Sequence, residues 1–163
     1  ARNYKDFGID VLAKKVHSLR IYGYEYTGYF AHIDSLQSYY DNSLGLLNME
    51  NQQRLFYSQT GPIYTKTKDS APTKYCRDAN VKNSLLASGC IIEGAVENSI
   101  IFRGVTIGKN AVVKNSIIMQ HGVIEEGARL DSIITDTYAR VTRDRVLLGY
   151  SNCPFFIKKY SVI

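Results

Sequence analysis

The most regular pattern in the chain is a phrase of polar and aliphatic residues that recurs along its second half. Val81-Lys-Asn-Ser-Leu-Leu86 returns as Val96-Glu-Asn-Ser-Ile-Ile101 and again as Val113-Lys-Asn-Ser-Ile-Ile118. A shorter version, Leu130-Asp-Ser-Ile-Ile134, follows. Between the copies the aliphatic residues stand six positions apart, as from Ile107 to Val113. A six-residue aliphatic period with small residues between is typical of the hexapeptide repeats of a parallel β-helix.

Hexapeptide repeats predict the architecture of this half. Each hexapeptide forms one short strand and a corner, and three complete a triangular coil of about 18 residues whose aliphatic side chains stack inward. We therefore predict a left-handed parallel β-helix of about four coils from Val81 to Val141. The left hand is taken from the hexapeptide class, since parallel β crossovers are otherwise right-handed. The predicted stacked inward positions are Leu86, Ile101, Ile118 and Ile134.

The polar residues of the repeat predict where the corners lie. Asn–Ser pairs suit corners because their side chains bond to nearby backbone groups. The serines are spaced by 15, 17 and 16 residues, which predicts sides of unequal length; they are Ser84, Ser99, Ser116 and Ser132.

The part of the chain before the repeat differs in composition and in predicted secondary structure, since it is rich in tyrosine and contains helical patterns. Asn3 can cap a helix in which Asp6 takes the third helical position, as in a capping box. Further on, Tyr22, Tyr24 and Tyr26 alternate with other residues, which predicts a strand or a pair of strands broken at the next glycine.

Two more helices are predicted before the repeat. Asp34 or Ser35 caps the first, and the second covers about Glu50–Phe56. The first carries one apolar stripe, formed by Leu36, Tyr39, Tyr40, Leu44 and Leu47. Because these elements supply too few strands for a sheet, we interpret residues 1–70 as the end of a larger α/β domain with a linker. Residues 71–163 are then the β-helix domain.

Composition narrows the class of protein. The chain is 45% hydrophobic and 21% charged, as in ordinary globular proteins. No apolar run approaches the ~20 residues of a membrane span, and no signal-like core opens the chain, so we expect a cytoplasmic protein without membrane contact. Cys76, Cys90 and Cys153 lack metal-site spacing and are expected to be free thiols. The net charge of +5 is spread out, which argues against nucleic-acid binding.

One local exception to the even charge is the C-terminal tail. Its basic residues face only one acidic residue, Asp144; they are Arg140, Arg143, Arg145, Lys158 and Lys159. The cluster is either a solvated face or a pocket for an anionic effector such as a sugar phosphate, to which Arg140, Arg143 and Arg145 would contribute. The apolar stretch of the tail is expected to pair along the last coil or with a neighbouring subunit.

The first part of the chain resembles a known family. Gly28-Tyr-Phe-Ala-His-Ile-Asp-Ser-Leu-Gln-Ser-Tyr39, followed by Asp41-Asn-Ser-Leu-Gly-Leu-Leu47, is similar to the end of the catalytic domain in glucose-1-phosphate adenylyltransferases (ADP-glucose pyrophosphorylases). That family reads Gly-Tyr-Trp-Arg-Asp-Val-Gly-Thr-Ile-Asp-Ser-Tyr. Pro62-Ile-Tyr-Thr65 and Pro72-Thr-Lys-Tyr75 also resemble its approach to a β-helix. The resemblance covers essentially the whole chain, as the C-terminal portion of a longer nucleotidyltransferase.

The resemblance implies a degenerate rather than a working catalytic site. The family's aspartate that helps bind catalytic Mg²⁺ falls on His32, and the arginine before it falls on Ala31. The family's glycine-rich nucleotide-binding start is absent. The pattern resembles the GlgD-type regulatory subunits of the family, so we expect no catalytic residue, metal ligand or cofactor in this chain, and no activity of the chain alone. Mg²⁺ would belong to the catalytic subunit, which is the expected partner, together with or instead of further copies of the chain.

Two enzymatic alternatives stay open. One is a hexapeptide acyltransferase, with His121 as its histidine, although no long loop interrupts the repeats to receive coenzyme A. The other is an active fragment of a sugar nucleotidyltransferase. A zinc site of the γ-carbonic-anhydrase type is disfavoured because the three histidines, His17, His32 and His121, are dispersed.

Overall fold

The computed structural model describes residues 5–57, 63–64 and 68–163. Within them, three helices precede a set of short strands. The helices are an N-terminal π-helix at Phe7–Ala13, α1 at Leu36–Gly45 and α2 at Met49–Phe56. Every strand that follows pairs in parallel with its sheet neighbours, and successive strands belong to three different sheets.

Each sheet collects one strand from every coil. The first sheet holds β1 Lys74–Tyr75, β4 Ile91–Ile92, β7 Thr106–Ile107, β10 Val123–Ile124 and β13 Arg140–Val141. The second holds β2 Asn80–Lys82, β5 Ala95–Glu97, β8 Val112–Lys114, β11 Arg129–Asp131 and β14 Val146–Leu148. The third holds β3 Leu85–Leu86, β6 Ile100–Ile101, β9 Ile117–Ile118, β12 Ile133–Thr135 and β15 Phe155–Ile157.

The strand pairings confirm the predicted β-solenoid. In register, Val81 lies opposite Val96, 15 residues on, and Val113, Leu130 and Leu147 follow at steps of 17. The stretch from Val81 to Val141 makes the predicted four coils. The tail strands β14 and β15 pair along the last of these coils, which is one of the two arrangements expected for the tail. The left hand of the winding stays a prediction.

The interior of the solenoid is a continuous column of aliphatic side chains. Ile101 and Ile118 are fully buried in it and Leu86 packs against its end, as predicted. Because each strand is only two or three residues long, one or two side chains per strand point inward. Other members of the column are Ile92, Val96, Ile107, Val113, Ile124, Leu130, Val141 and Ile157.

The predicted inward position of Ile134 is wrong. Ile134 pairs with Ile117, and both belong to a separate cluster on the outside of the third sheet, where Tyr40 covers them. The residue opposite Ile118 is Thr135, which is also buried. One step of register moves a side chain to the other face of a strand, so a single misplaced residue inverts the assignment.

The physical reason for this error is the identity of the corner residue. Ser132 has φ +57 and takes the place of Asn115, which has φ +46. The phrase beginning at Leu130 is therefore full length, and Ile133 follows in the place of Ser116. The backbone N–H of Ile133 accordingly donates to Ser116 Oγ at 3.1 Å.

Hydrogen bonds connect the corners of successive coils. At this asparagine corner, the side-chain amide of Asn83 donates to Asn98 Oδ1 at 2.7 Å, and that of Asn115 donates to Asp131 Oδ1 at 2.9 Å. The backbone N–H of Ser99 donates to Ser84 Oγ at 3.1 Å. Asparagine suits the position because it tolerates the left-handed conformation better than most residues.

The segment before α1 differs from its prediction in two respects. Asp6 is itself the N-cap of the π-helix, accepting from the backbone N–H of Ile9 at 2.6 Å; the proposed cap, Asn3, lies outside the described residues. Tyr22 and Tyr24 are 85% and 88% exposed, and residues 20–33 contain no strand. Alternation alone does not make a strand when no partner strand lies beside it.

The two helices predicted before the repeat are confirmed. Ser35 caps α1 by accepting from the backbone N–H of Ser38, and Asn48 caps α2. Tyr40 of α1 is 3% exposed, and its hydroxyl donates to the carbonyl oxygen of Asn115 at 2.5 Å. Thus α1 rests on the outer face of the third sheet. No helix among the described residues is both long and apolar enough to cross a membrane.

Candidate functional site

His32 lies on an exposed loop just before α1. Its Nδ1 is 3.6 Å from an Asp34 carboxylate oxygen, and both side chains are more than half exposed. Hydrogen bonds from Ser38 and Ser35 lower the pKa of Asp34, so its carboxylate stays charged. The described residues contain no group of three or more His, Cys, Asp or Glu side chains placed to hold a metal ion.

Two of the three tail arginines lie together, each facing a glutamate. Arg140 Nε donates to Glu125 Oε1 at 2.6 Å, and Arg143 donates to Glu126 Oε2 at 2.8 Å. The hydrogen bond from Arg140 lowers the pKa of Glu125, whose other oxygen accepts from the backbone N–H of Arg143. Arg145 is turned instead toward Thr142 Oγ1, at 3.4 Å.

These ion pairs reduce the positive charge that the predicted anion pocket would offer. Since Glu125 and Glu126 offset the charges of Arg140 and Arg143, the cluster forms a network of surface ion pairs. An anion that binds there competes with a carboxylate already paired to each arginine. A role of these arginines in effector binding stays a prediction.

A second feature is a stack of aromatic rings at another corner of the solenoid. The His121 and Tyr138 ring centroids are 5.0 Å apart with 18° between the planes. Tyr138 and Tyr160 follow at 5.3 Å and 20°. All three residues have φ of 58° or 59°. We call this stack the aromatic column.

A groove of ≈ 630 Å³ opens beside the aromatic column, and we call it the column groove. Lysine and arginine side chains line it, but no carboxylate of the described residues does. Its floor includes two glycines, Gly89 and Gly104. The remaining lining residues are Lys68, Ser70, Ala71, Arg103, Gln120, His121, Thr137, Tyr138 and Lys159.

Sequence reasoning missed this groove, although it singled out His121 and Lys159 for other reasons. The signal was present as a period: Gly104, His121 and Tyr138 stand 17 residues apart, the same step as the coils. Alignment of the coils by their aliphatic residues, rather than by their serines, brings these positions to one corner. The histidine considered for an acyltransferase is thus the end ring of a stack.

The fold and the repeat establish the family. A model described as GlmU-like, C-terminal hexapeptide, matches residues 70–152. The matched stretch contains most of the aliphatic column and the asparagine corner. The chain belongs to this family of hexapeptide-repeat proteins.

Relatives that match beyond the repeat are more specific. Over 150 residues, 92% of this chain and 43% of the relative, the chain is 42% identical to a glycogen biosynthesis protein GlgD of Bacillus subtilis (strain 168). Over 72 residues, 44% of this chain and 21% of the relative, it is 56% identical to a GlgD of Geobacillus stearothermophilus. A glucose-1-phosphate adenylyltransferase of Clostridium perfringens (strain 13 / Type A) is 34% identical over 121 residues, 74% of this chain and 30% of that protein.

These matches confirm the resemblance to the glucose-1-phosphate adenylyltransferase family and its GlgD type, which the sequence indicated at Gly28–Leu47. The chain spans less than half the length of these curated relatives.

Proposed function

We propose that the chain is part of a protein of glycogen synthesis that assembles with, and regulates, a catalytic glucose-1-phosphate adenylyltransferase subunit. The observation that carries the proposal is the similarity to a glycogen biosynthesis protein GlgD over 92% of the chain. Position 32 gives the second argument, since a histidine stands where the family resemblance calls for a metal-binding aspartate. The Mg²⁺ that adenylyl transfer uses would be held by the catalytic partner.

The chemistry of His32 supports a regulatory rather than a catalytic role. Mg²⁺ prefers hard oxygen ligands in octahedral geometry, and an imidazole nitrogen replaces such a ligand poorly. The nearest carboxylate, Asp34, is engaged by the hydroxyl of Ser38 at 3.1 Å, beside the N-cap of α1. It therefore stabilises the helix start instead of substituting for the missing ligand.

The last coil supports assembly with other subunits. Among the described residues, strands β14 and β15 have a paired neighbour on one side only, so their other sheet edge is open there. Large apolar side chains cluster on these strands and on the turn between them, and exposed apolar patches of this kind mark protein interfaces. They are Val146, Leu148, Tyr150, Phe155 and Phe156.

The proposal is tested with the full-length protein that contains this chain, purified alone and together with a catalytic subunit. ADP-glucose formation should be negligible for the protein alone, and the catalytic subunit should become more active when the protein is present. His32→Asp restores an oxygen ligand and measures how much of the deficit arises at this position. His17→Asp, another exposed histidine, is the matched control.

Two results would count against the proposal. Turnover by the protein alone that equals the catalytic subunit's would show a working enzyme. Sedimentation as a monomer, with and without the catalytic subunit, would exclude assembly; Leu148→Asp on the open edge should weaken any complex that does form.

A further inference from the structure

We propose that the first turn of α1 couples the docking of another subunit on the last coil to the loop that carries His32. The coupling begins at the turn between β14 and β15, residues 149–154, which we call the tail turn. The inference rests on the proposed function and deepens it, since it names the contacts through which assembly at the open edge acts on the first part of the chain.

The tail turn is an excursion from the regular solenoid. In the preceding coil a single residue separates β11 from β12, whereas the whole tail turn separates β14 from β15. Backbone N–H groups at the two ends of the excursion donate to the carbonyl oxygens of Asp131 and Ser132, at 2.8 and 3.1 Å. Two backbone hydrogen bonds between Tyr150 and Cys153 close it, at 3.1 and 2.9 Å. Ser151 therefore lies at the tip of a defined loop.

The tail turn contacts both the open edge and α1. Tyr150 is 75% exposed and belongs to the apolar patch of the open edge, so a subunit that docks on this patch contacts the tail turn. The neighbouring carbonyl oxygen of Ser151 accepts from Nε2 of Gln37, in the first turn of α1, at 2.7 Å. A movement of the tail turn is therefore felt directly by α1.

The side-chain amide of Gln37 faces acceptors more than donors. Its Nε2 donates to Asp41 Oδ1 at 2.9 Å as well as to the Ser151 carbonyl oxygen. Its Oε1 is buried and has no hydrogen-bond partner among the described residues. Because an unpaired buried acceptor offsets part of what the two donated bonds contribute, the net contact is weak enough to form or break with the position of the tail turn.

The same turn of α1 holds the loop before it. The hydroxyl oxygen of Ser38 accepts from the backbone N–H groups of Asp34 and Ser35, both at 3.0 Å. Asp34 Oδ2 in turn lies 3.6 Å from His32 Nδ1. The loop is thus attached to the helical turn that Gln37 ties to the last coil.

The two ends of α1 can respond separately because they are anchored in different coils. Tyr40 bonds to the carbonyl oxygen of Asn115, away from the last coil, whereas Gln37 reaches the tail turn. A helix of ten residues is marginal without such contacts, so its first turn can open while Tyr40 stays docked. A subunit that fixes the tail turn favours the closed first turn, and the closed turn favours that subunit by the same factor.

The first test is hydrogen exchange of the full-length protein alone, read at the amides of Ser38 and Tyr39, which donate to Ser35. Gln37→Glu keeps the size of the side chain but removes its donors, and should speed this exchange about fivefold. Gln37→Lys supplies donors only and should slow it. Gln53→Glu, at an exposed position of α2, is the matched control and should change nothing. Amides of the third sheet should stay slow in every variant, which shows that the solenoid is folded.

The second test repeats the measurement in complex with a catalytic glucose-1-phosphate adenylyltransferase subunit. Assembly should slow exchange in the first turn of α1 about fivefold in the unaltered protein and in Gln53→Glu. Gln37→Glu should remove that slowing and weaken the complex by a similar factor. A complex that forms without slower exchange in this turn, or with equal slowing in Gln37→Glu, would refute the coupling and leave the proposed function standing. No complex in sedimentation would instead refute the proposed function, and the coupling with it.

Discussion

The solenoid and the segment that precedes it bury their apolar residues in different ways. In the solenoid, Ile107 and Ile118 have no exposed surface. Among the described residues before β1, Tyr40 alone is a buried apolar side chain, whereas Phe7 and Tyr24 are 70% and 88% exposed. A repeat creates its own core because every coil covers the next, whereas α1 becomes buried only by resting on that finished surface.

This difference implies that the packing of α1 depends on the folded solenoid, whereas the core of the solenoid does not depend on α1. The solenoid supplies the outer face on which Tyr40 packs, formed by Ile117 and Ile134. Among the described residues, the first part supplies nothing to the inner column of the solenoid. Damage to the column should therefore unfold both regions, while damage at Tyr40 should release α1 alone.

The largest effect is expected from a charge in the column. Ile118→Asp places a carboxyl group where no water reaches it, and the free energy of unfolding should fall by about 4 kcal/mol or more. Ile9→Asp is the matched control, because Ile9 is 69% exposed and should change that free energy by less than about 0.5 kcal/mol. Urea denaturation followed by circular dichroism measures both. Equal losses in the two variants would show that Ile118 does not face the column.

The same contrast explains how much the sequence could predict. The period of the aliphatic residues predicts the solenoid and the inward Ile101 and Ile118, because these depend on the repeat step. Local polar residues narrow the cap of α1 to Asp34 or Ser35, and the structure selects Ser35. Ile134 was misassigned since a serine in place of asparagine hid a full-length repeat.

Other features depend on contacts that a single sequence does not display. The partners of Arg140 and Arg143 come from the preceding coil, and the aromatic column joins residues separated by a full coil or more. The tyrosines from Tyr22 to Tyr26 were predicted as strands, but no neighbouring strand among the described residues pairs with them.

An intermediate effect is expected at Tyr40. Tyr40→Ala removes the ring that covers the third sheet and should weaken the docking of α1 by about 3 kcal/mol. Tyr40→Phe keeps the ring but removes the hydrogen bond to the Asn115 carbonyl, for about 1 kcal/mol. Hydrogen exchange at α1 reports both, and Tyr24→Ala, at an exposed ring, should leave it unchanged. If solenoid amides exchange faster as well, the proposed order of dependence fails.

The pH dependence of docking sharpens this result. Burial raises the pKa of the Tyr40 phenol above its ordinary value of 10.0, and the charge of Asp131 raises it further. Because the docked phenol holds its proton more tightly than a free one, docking is fully stable below that value and weakens as the pH rises through the raised pKa. Tyr40→Phe should lose part of this dependence, and the neighbouring Tyr39, whose pKa is also raised by burial, should retain the rest.

The smallest effect on folding is expected at the charged surface of the last coils. Side chains there belong neither to the inner column of the solenoid nor to the contact between α1 and the third sheet. Replacement of Arg140, Arg143 and Arg145 by glutamine removes exposed ion pairs and should leave the thermal midpoint nearly unchanged. If these arginines form an effector site, the replacement should abolish the response of the full-length complex to a sugar phosphate such as glucose 6-phosphate. Glu125→Gln with Glu126→Gln should strengthen that response, because both arginines are then released from their carboxylates. An identical response in all three proteins would exclude the arginines from effector binding.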